Sequence, residues 1–597
     1  MYADRMLTQW LQDHKPRATS MKHQPAFYRN LEQAMDLARA DHSLFVAKPR
    51  WDDSVLDFTS SDFLSFNRTG RIREAFQGEL SQYEDFRLSA SGSRVQYGNY
   101  DYLIQTEKEI AAFHGAETAY IAHSGYMANA GTVAAVTLPG DAIVYDEAVH
   151  ASTHEGMKVS LAQHRLAFRH NDPDSLREVL GEVKGYPGFA EGRFSILIAI
   201  ESVYSMDGDI CPLEEMLQMV KDLFPLGNAQ FIIDEAHSNG VMGPRGSGLV
   251  NMLGLEKEIA IRIHVCSKAL GSTGGVILCN KTIRDRLISN ARFAIYSGAP
   301  SFPMVASMRA GYRLLENNEA EEPIQKIQSN VRHFLETITA HPVWDEAVDQ
   351  GILNIPLAED YESIEHLTHI VPVLTRPKHE LYLFFHLMIN NINAYNISFP
   401  VVPKGKSRVR LVFHAHNDLD QAETLANAIC EWAQEMLVIE DGQTDNVLPS
   451  AARRGHDSFT SGSNNWILKL VDFTKSLLHE QSRVRIMAVC FGHQIVGRAY
   501  GETAERNPLG WEVSVTAVTL SETGKRVFGC DSLALHQMHR DVVRRYPASV
   551  KKLGHSDRCE VQGIYVTNRV HDSAGTSGVR CHDCLRVAGA EARICAR

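Results

Sequence analysis

Between residues 105 and 305 the chain repeats one pattern: an apolar run, a short polar motif, then a stretch with helical spacing. AIVYDEAVH, FSILIAIESV, AQFIIDEAH and IRIHVCSKALG each read as a buried strand ending in a loop, and segments such as PLEEMLQMVKDLF read as the helices between them. That alternation predicts an α/β domain with a mainly parallel sheet. Ligands of such sheets gather at the carboxyl ends of the strands, which is where the polar motifs stand.

A chain of 597 residues is too long for one core, so two or three domains are expected. The pattern changes after the sheet region. A helical stretch (MVASMRAGYRLLENNEAEEPIQKIQSNVRHFLETI) precedes short strands at HIVPVLT, INAYNI and SRVRLVFHA, and DLDQAETLANAICEWAQEML reads as a closing helix. The spans read from this are an N-terminal segment 1–56, a large domain 57–305, a smaller α+β domain 306–440, a polar linker 441–465, a partial α/β module 466–567 and an irregular tail 568–597.

The net charge of −12, with no long run of one sign, argues against nucleic acid as the main partner. No apolar stretch approaches the ~20 residues of a membrane span, and the first residues, MYADRMLTQWLQDHKPRATS, lack the apolar block of a secretory signal. Ten cysteines in so long a chain do not suggest a disulfide framework, so a reducing, cytoplasmic setting is expected.

Five motifs carry the chemistry: HSGYMAN (123–129), DEAVHAS (146–152), ESVYSMDGD (201–209), DEAH (234–237) and SKALG (267–271). Together they offer what a pyridoxal-phosphate site requires. A lysine attaches the cofactor, a carboxylate keeps the pyridine nitrogen protonated, a flat side chain covers the ring, and amides at a helix start hold the phosphate. DEAH alone is unspecific, but five motifs in one order, followed by VPKGKSRVR (402–410), make a specific signal. The chain from DFTSSDFL (57–64) to VPKGKSRVRLVFHAHNDLD (402–420) resembles the α-oxoamine synthase family of fold-type I pyridoxal-phosphate enzymes, 8-amino-7-oxononanoate synthase among them.

That resemblance implies a fold-type I transferase that condenses an amino acid with an acyl thioester, on CoA or a carrier protein, with loss of CO₂. It also implies a homodimer. A pyridoxal-phosphate aminotransferase and a non-enzymatic relative are the competing readings; SMDGD and VPKGKSRVR favour the synthase, and the presence of Lys268 argues against the non-enzymatic one.

Residue by residue, the resemblance makes Lys268 the cofactor-bearing lysine, Asp234 the partner of the pyridine nitrogen, His237 the histidine near the phenolic oxygen and His150 the ring-stacking residue. Ser124, Gly125 and Tyr126 fall in the phosphate-binding turn, Glu201 and Ser205 on the active-site strand, and Ser267 beside the lysine. Each histidine has the alternative of a satisfied core residue, and Asp234 that of a helix cap. Arg410 resembles the arginine that grips the substrate carboxylate, for which a bidentate guanidinium suits best. Arg408, expected on the opposite face of the strand, is the competing candidate.

Departures from the family pattern are specific. Ser61 stands where an asparagine helps to position the substrate, Val265 where a threonine helps to hold phosphate, and Gly298 where a partner-subunit hydroxyl is expected, with Ser297 beside it.

Further along, RIMAVCFGHQIVGRAYGE (485–502) reads as strand, tight turn at Cys490, then helix, a nucleophile-elbow pattern. With NPLGWEVSV and LALHQMHRD it resembles part of a class I glutamine amidotransferase, with Ala488 in place of the family's first glycine. The His–Pro–Glu segment that carries that family's base has no counterpart after Tyr565, so Cys490 is expected to be inactive. No metal site is expected, since Cys581 and Cys584 form one close pair without a second.

Overall fold

A computed structural model describes residues 54–83 and 85–441 throughout, and parts of 12–46 and 449–573. The chain divides into two compact units, Met1–Gly455 and His456–Arg597. No helix among the described residues is long and apolar enough to cross a membrane.

In the first unit a helix, Ala26–Ala40, precedes a two-residue strand, β1 (Leu56–Asp57), and a helix, Arg71–Ser81. Seven strands then form one sheet: β2 (Thr118–Ala122), β3 (Ala142–Asp146), β4 (His164–Phe168), β5 (Ile196–Glu201), β6 (Ala229–Asp234), β7 (Ile261–Val265) and β8 (Gly275–Cys279). Their order is β2-β8-β7-β6-β5-β3-β4. The block from β4 through β7 is parallel, while β8 runs antiparallel to both of its neighbours. The mainly parallel sheet expected from the apolar runs is present, with a mixed edge.

The runs of β3, β5 and β6 are largely apolar because neighbouring residues feed different cores. Val144, Ile198 and Phe231 pack with Leu176, Leu180 and Met216. Ile143, Leu197 and Ile232, each one position away, pack with Ala128, Val133 and Met157. A strand covered on both faces favours apolar side chains until it ends, so most polar residues collect at the strand termini; β7 departs from this with the buried Arg262, which donates to Asn251 Oδ1 at 2.8 Å, and His264, which lies 3.0 Å from the Glu235 carboxylate.

A four-stranded antiparallel sheet follows, in the order β12 (Tyr395–Ile397), β13 (Arg408–Val412), β10 (Ile370–Thr375), β9 (Leu353–Asn354), while β11 (Ile392–Asn393) pairs with β1. The start of the 57–305 span is thus tied to the smaller domain. The helical stretch after the large sheet is two helices, Phe302–Glu316 and Glu321–Thr339. They break where Asn318 takes a left-handed φ of 62°, a conformation that asparagine tolerates better than most residues. The closing helix, Leu419–Glu440, starts at Asp418, whose carboxylate accepts the Gln421 N–H at 2.8 Å.

The second unit has a strand Ile486–Val489 followed by a helix Phe491–Ala499, as read from the sequence, and a long hairpin of Glu512–Leu520 with Ser532–His539. Cys490 itself lies outside the described residues, as do Cys581 and Cys584. The stretch read as an irregular tail contributes a strand, Val570–Ser573, parallel to Ile486–Val489. Its VHDS alternation is too short to mark a strand without the partner beside it.

Candidate active site

The helix Gly125–Val136 begins directly beyond β2. Ser124 is its N-cap, and the Ser124 hydroxyl accepts the Met127 N–H at 3.1 Å. The first amides of a helix have no partner within it and favour an anion. Gly125 is required by close approach: a Cβ there would lie 2.3 Å from Cγ2 of Val265, at the end of β7. Val265 therefore closes the turn by packing and offers no hydroxyl. Tyr126 is half exposed beside the turn, its ring edge-on to that of His150 at 6.2 Å.

His150 caps the helix Ala151–Val159. Its Nδ1 lies 2.8 Å from Ser152 Oγ, and its backbone N–H donates to Glu201 Oε1 at 2.6 Å. Burial, reinforced by neighbouring Asp234, raises the Glu201 carboxyl well above the usual carboxylate range. Glu201 thus supports the His150 backbone from the end of β5.

Glu201 and Asp234 are register partners at the ends of β5 and β6. Asp234 accepts the Ala236 N–H through Oδ1 at 3.0 Å and Asn129 Nδ2 through Oδ2 at 3.0 Å. The Asn129 amide also reaches Ser152 Oγ at 3.1 Å and Thr153 Oγ1 at 3.0 Å. Asn129 is a functional candidate that motif reading missed. The available signal was a buried amide on an otherwise apolar helix, since such a group needs a partner.

Lys268 sits in the loop that joins β7 to β8, closed by Cys266 N–H to Gly274 O at 3.0 Å and Gly271 N–H to Lys268 O at 2.9 Å. Its Nζ is 2.8 Å from His237 Nε2. Desolvation holds the Lys268 ammonium below its usual range, with Arg410 reinforcing this and Asp234 and Glu201 opposing it. Burial, then the charge of Lys268, holds His237 far below the usual imidazole range, so its ring is neutral. His237 Nδ1 is buried without a hydrogen-bond partner. Ser267, next to the lysine, is exposed.

Arg410 Nη1 donates to Ser205 O at 2.9 Å, and its Nε is buried and unpaired. Ser205 thus joins the site through its carbonyl. Arg408 pairs with the Asp207 carboxylate. The expectation that the two arginines face opposite ways is wrong: they are two residues apart on β13, side chains alternate every residue, and both meet the 205–207 loop. What separates them is occupancy, because the ion pair with Asp207 engages Arg408.

Ser61 lies in the loop after β1. That loop is held to the small domain by Ser60 Oγ at 3.0 Å from His414 Nε2 and by Ala415 N–H to Phe63 O at 2.9 Å. It brings the Phe63 ring to 5.8 Å from His237. The exposed Gly298 and the partly buried Ser297 lie on a separate segment, anchored by Ala299 N–H to Gly92 O at 2.8 Å.

Asp57, His414 and His416 form a metal-like cluster. Both ring nitrogens of His414, however, meet oxygen acceptors, Asp57 O at 3.1 Å and Ser60 O at 2.8 Å. Both nitrogens are thus already engaged within the protein, so the cluster reads as a hydrogen-bonded clasp.

The family model for aminotransferase class I and II matches residues 53–429. The aminoacyl transferase sphA of Aspergillus fumigatus is 48% identical over 447 residues, 74% of this chain and 95% of that protein. The 8-amino-7-oxononanoate synthase of Emericella nidulans is 40% identical over 385 residues, 64% of this chain and 90% of that protein. Among solved structures, serine palmitoyltransferase from Sphingomonas wittichii shares the fold with a TM-score of 0.56 at 22% identity, covering 69% of this chain and 98% of that one. The 8-amino-7-oxononanoate synthase from Francisella tularensis gives a TM-score of 0.50 at 26% identity, covering 65% and 100%.

Proposed function

The chain belongs to the aminotransferase class I and II family and, within it, to the pyridoxal-phosphate-dependent α-oxoamine synthases, and on that premise we propose that it joins an amino acid to an acyl thioester. The amino acid loses its carboxyl group as CO₂, a carbon–carbon bond forms to the acyl carbonyl, and the thiol leaves. The observation that carries this reading is the convergence of Lys268, His237 and Asp234, from the loop ends of the large sheet, with a partly unpaired Arg410 in the middle of β13.

The residues present fit the cofactor. Unpaired buried nitrogens on His237 and Arg410 call for a polar occupant, and the Gly125 turn leaves helix amides open to an anion. Pyridoxal phosphate, when bound, supplies the electron sink that stabilises negative charge on the substrate's α-carbon. Ser124, Gly125 and Tyr126 would hold its phosphate, His150 would cover the ring, and Asp234 would keep a proton on the ring nitrogen. Glu201 and Ser205 support the site from beneath, as the backbone of His150 and the guanidinium of Arg410 depend on them.

Lys268 is the attachment point. Its Nζ would also take the substrate's α-proton, and the lowered pKa favours the free amine that this requires. His237 fixes the direction of that amine through the 2.8 Å contact. Arg410 binds the substrate carboxylate, and Ser61 and Ser267 flank the substrate and the cofactor. The assembly is a homodimer, as carried from the family. For the second unit, the resemblance to an amidotransferase rests on sequence alone and implies no turnover.

Purified protein incubated with pyridoxal phosphate, glycine, alanine or serine, and butyryl-, octanoyl- or palmitoyl-CoA tests the function by product mass. An α-aminoketone supports the reading. A 2-oxo acid formed by simple amino transfer, with the thioester intact, refutes it.

A further inference from the structure

His369 belongs to none of the motifs and stands just before β10. Its carbonyl accepts the Phe413 N–H at 2.8 Å, which fixes it against β13. The side chain is 3% exposed, and Nε2 is buried with no hydrogen-bond partner. The ring packs on Phe63 at 4.1 Å between centroids, and the His237 ring lies 6.4 Å away, inclined by 24°. His369 is therefore one ring removed from Lys268. Burial, with the charges of His414, Lys268 and Arg410, holds the imidazole at about 3, so it is neutral in the working range.

Leaving a buried polar atom unpaired is costly, and such an atom beside a reaction centre calls for a functional explanation. On the proposed reading, three substrate and cofactor groups already have partners: the phosphate at the Gly125 turn, the ring nitrogen at Asp234 and the carboxylate at Arg410. The acyl carbonyl has none. It begins neutral and becomes anionic when attacked, and a neutral N–H donor suits both states without holding a charge in the empty site.

We propose that His369 donates a hydrogen bond from Nε2 to the carbonyl oxygen of the acyl thioester. When the substrate's α-carbon forms its bond to the carbonyl carbon, the C=O π pair moves to that oxygen and is held there by His369. The pair then returns as the C–S bond breaks, and the thiolate leaves with the sulfur pair and takes a proton. This deepens the synthase reading and rests on it.

The test uses His369→Phe, which keeps the ring packed against Phe63 but removes the donor, and His369→Gln, which keeps an N–H donor. Both variants are expected to bind pyridoxal phosphate with the wild-type absorbance and to show the wild-type spectral change and KM for the amino acid. His369→Phe should lose about 100-fold in kcat/KM for the acyl-CoA, in line with removal of an oxyanion donor, and His369→Gln should recover part of it. A non-cleavable ketone analogue of the acyl-CoA, with CH₂ in place of sulfur, should bind more weakly to His369→Phe by calorimetry. Wild-type acyl-CoA kinetics in His369→Phe, or equal losses in cofactor, amino-acid and acyl-CoA binding, overturn the assignment while the synthase reading stands. A wild-type enzyme that consumes no acyl-CoA overturns both.

Discussion

Lys268 Nζ lies 2.8 Å from Nε2 of His237, a neutral imidazole whose other nitrogen is buried and unpaired. The amine is thus aimed by an uncharged neighbour and kept less basic than an exposed lysine. Lys268→Ala is expected to abolish turnover and the absorbance band of the lysine-bound cofactor, with little change in melting temperature. Retention of that band in the variant would show that another amine carries the cofactor.

Asp234→Asn preserves shape and removes charge. Cofactor should still bind, while kcat falls by about 1,000-fold, ~4 kcal/mol of transition-state stabilisation. Asn129→Leu leaves Asp234 Oδ2 without its 3.0 Å donor and should cost about tenfold, in line with the ~1–3 kcal/mol of a lost buried hydrogen bond. Steady-state rates checked beside cofactor titrations separate these effects from loss of pyridoxal phosphate.

The two arginines of β13 should part company in kinetics. Arg410→Lys loses the bidentate fork and is expected to raise the amino-acid KM by ~10–100-fold. Arg408→Lys perturbs the pair with Asp207 and should lower the melting temperature while leaving that KM within about threefold. The opposite pattern would make Arg408 the carboxylate ligand.

Much of this site was legible in the sequence because a sheet buried on both faces expels polar residues to its strand ends. Asp234, Glu201 and the Lys268 loop could be found there without coordinates. The residues missed act across elements. Asn129 meets Asp234 from a helix 105 positions earlier, and His369 meets Phe63 from another domain. The local sequence can show that such a polar group needs a partner, but not which distant residue supplies it. Arg408 and Arg410 were misjudged for another reason: strand alternation was applied to residues two apart, where it puts both on one face.

His170 bridges Asp146 at 2.9 Å and Asp209 at 2.9 Å, tying the turn after β4 to the SMDGD loop. Burial opposes its charge, but hydrogen bonds to the two carboxylates overcome this and push it up to about 10. Because the folded value exceeds the unfolded one of ~6.5, the native state binds the extra proton. The stabilisation is fully present below pH ~6.5 and is lost as pH rises through about 10. Denaturant titrations should show His170→Gln less stable than wild type by about 3 kcal/mol at pH 6, with the gap narrowing toward pH 10. A gap that stays constant over that range would mean that His170 acts by packing alone.

Cys490 should react with iodoacetamide without conferring glutaminase activity, since a thiol needs a positioned base to turn over. Cys490→Ala should leave synthase kinetics unchanged. Ammonia release from glutamine that vanishes in Cys490→Ala would show that some other base serves the thiol.

The central claim is a decarboxylating condensation at Lys268, and isotope accounting tests it most directly. The enzyme is given pyridoxal phosphate, an amino acid labelled with carbon-13 in its carboxyl group, and an acyl-CoA that product mass has shown to be accepted. Labelled CO₂ and free CoA thiol are then counted together. The account predicts that the two appear in equal amounts, that the organic product carries no label, and that neither forms with Lys268→Ala. Label retained in a 2-oxo acid, with the thioester unspent, would contradict it.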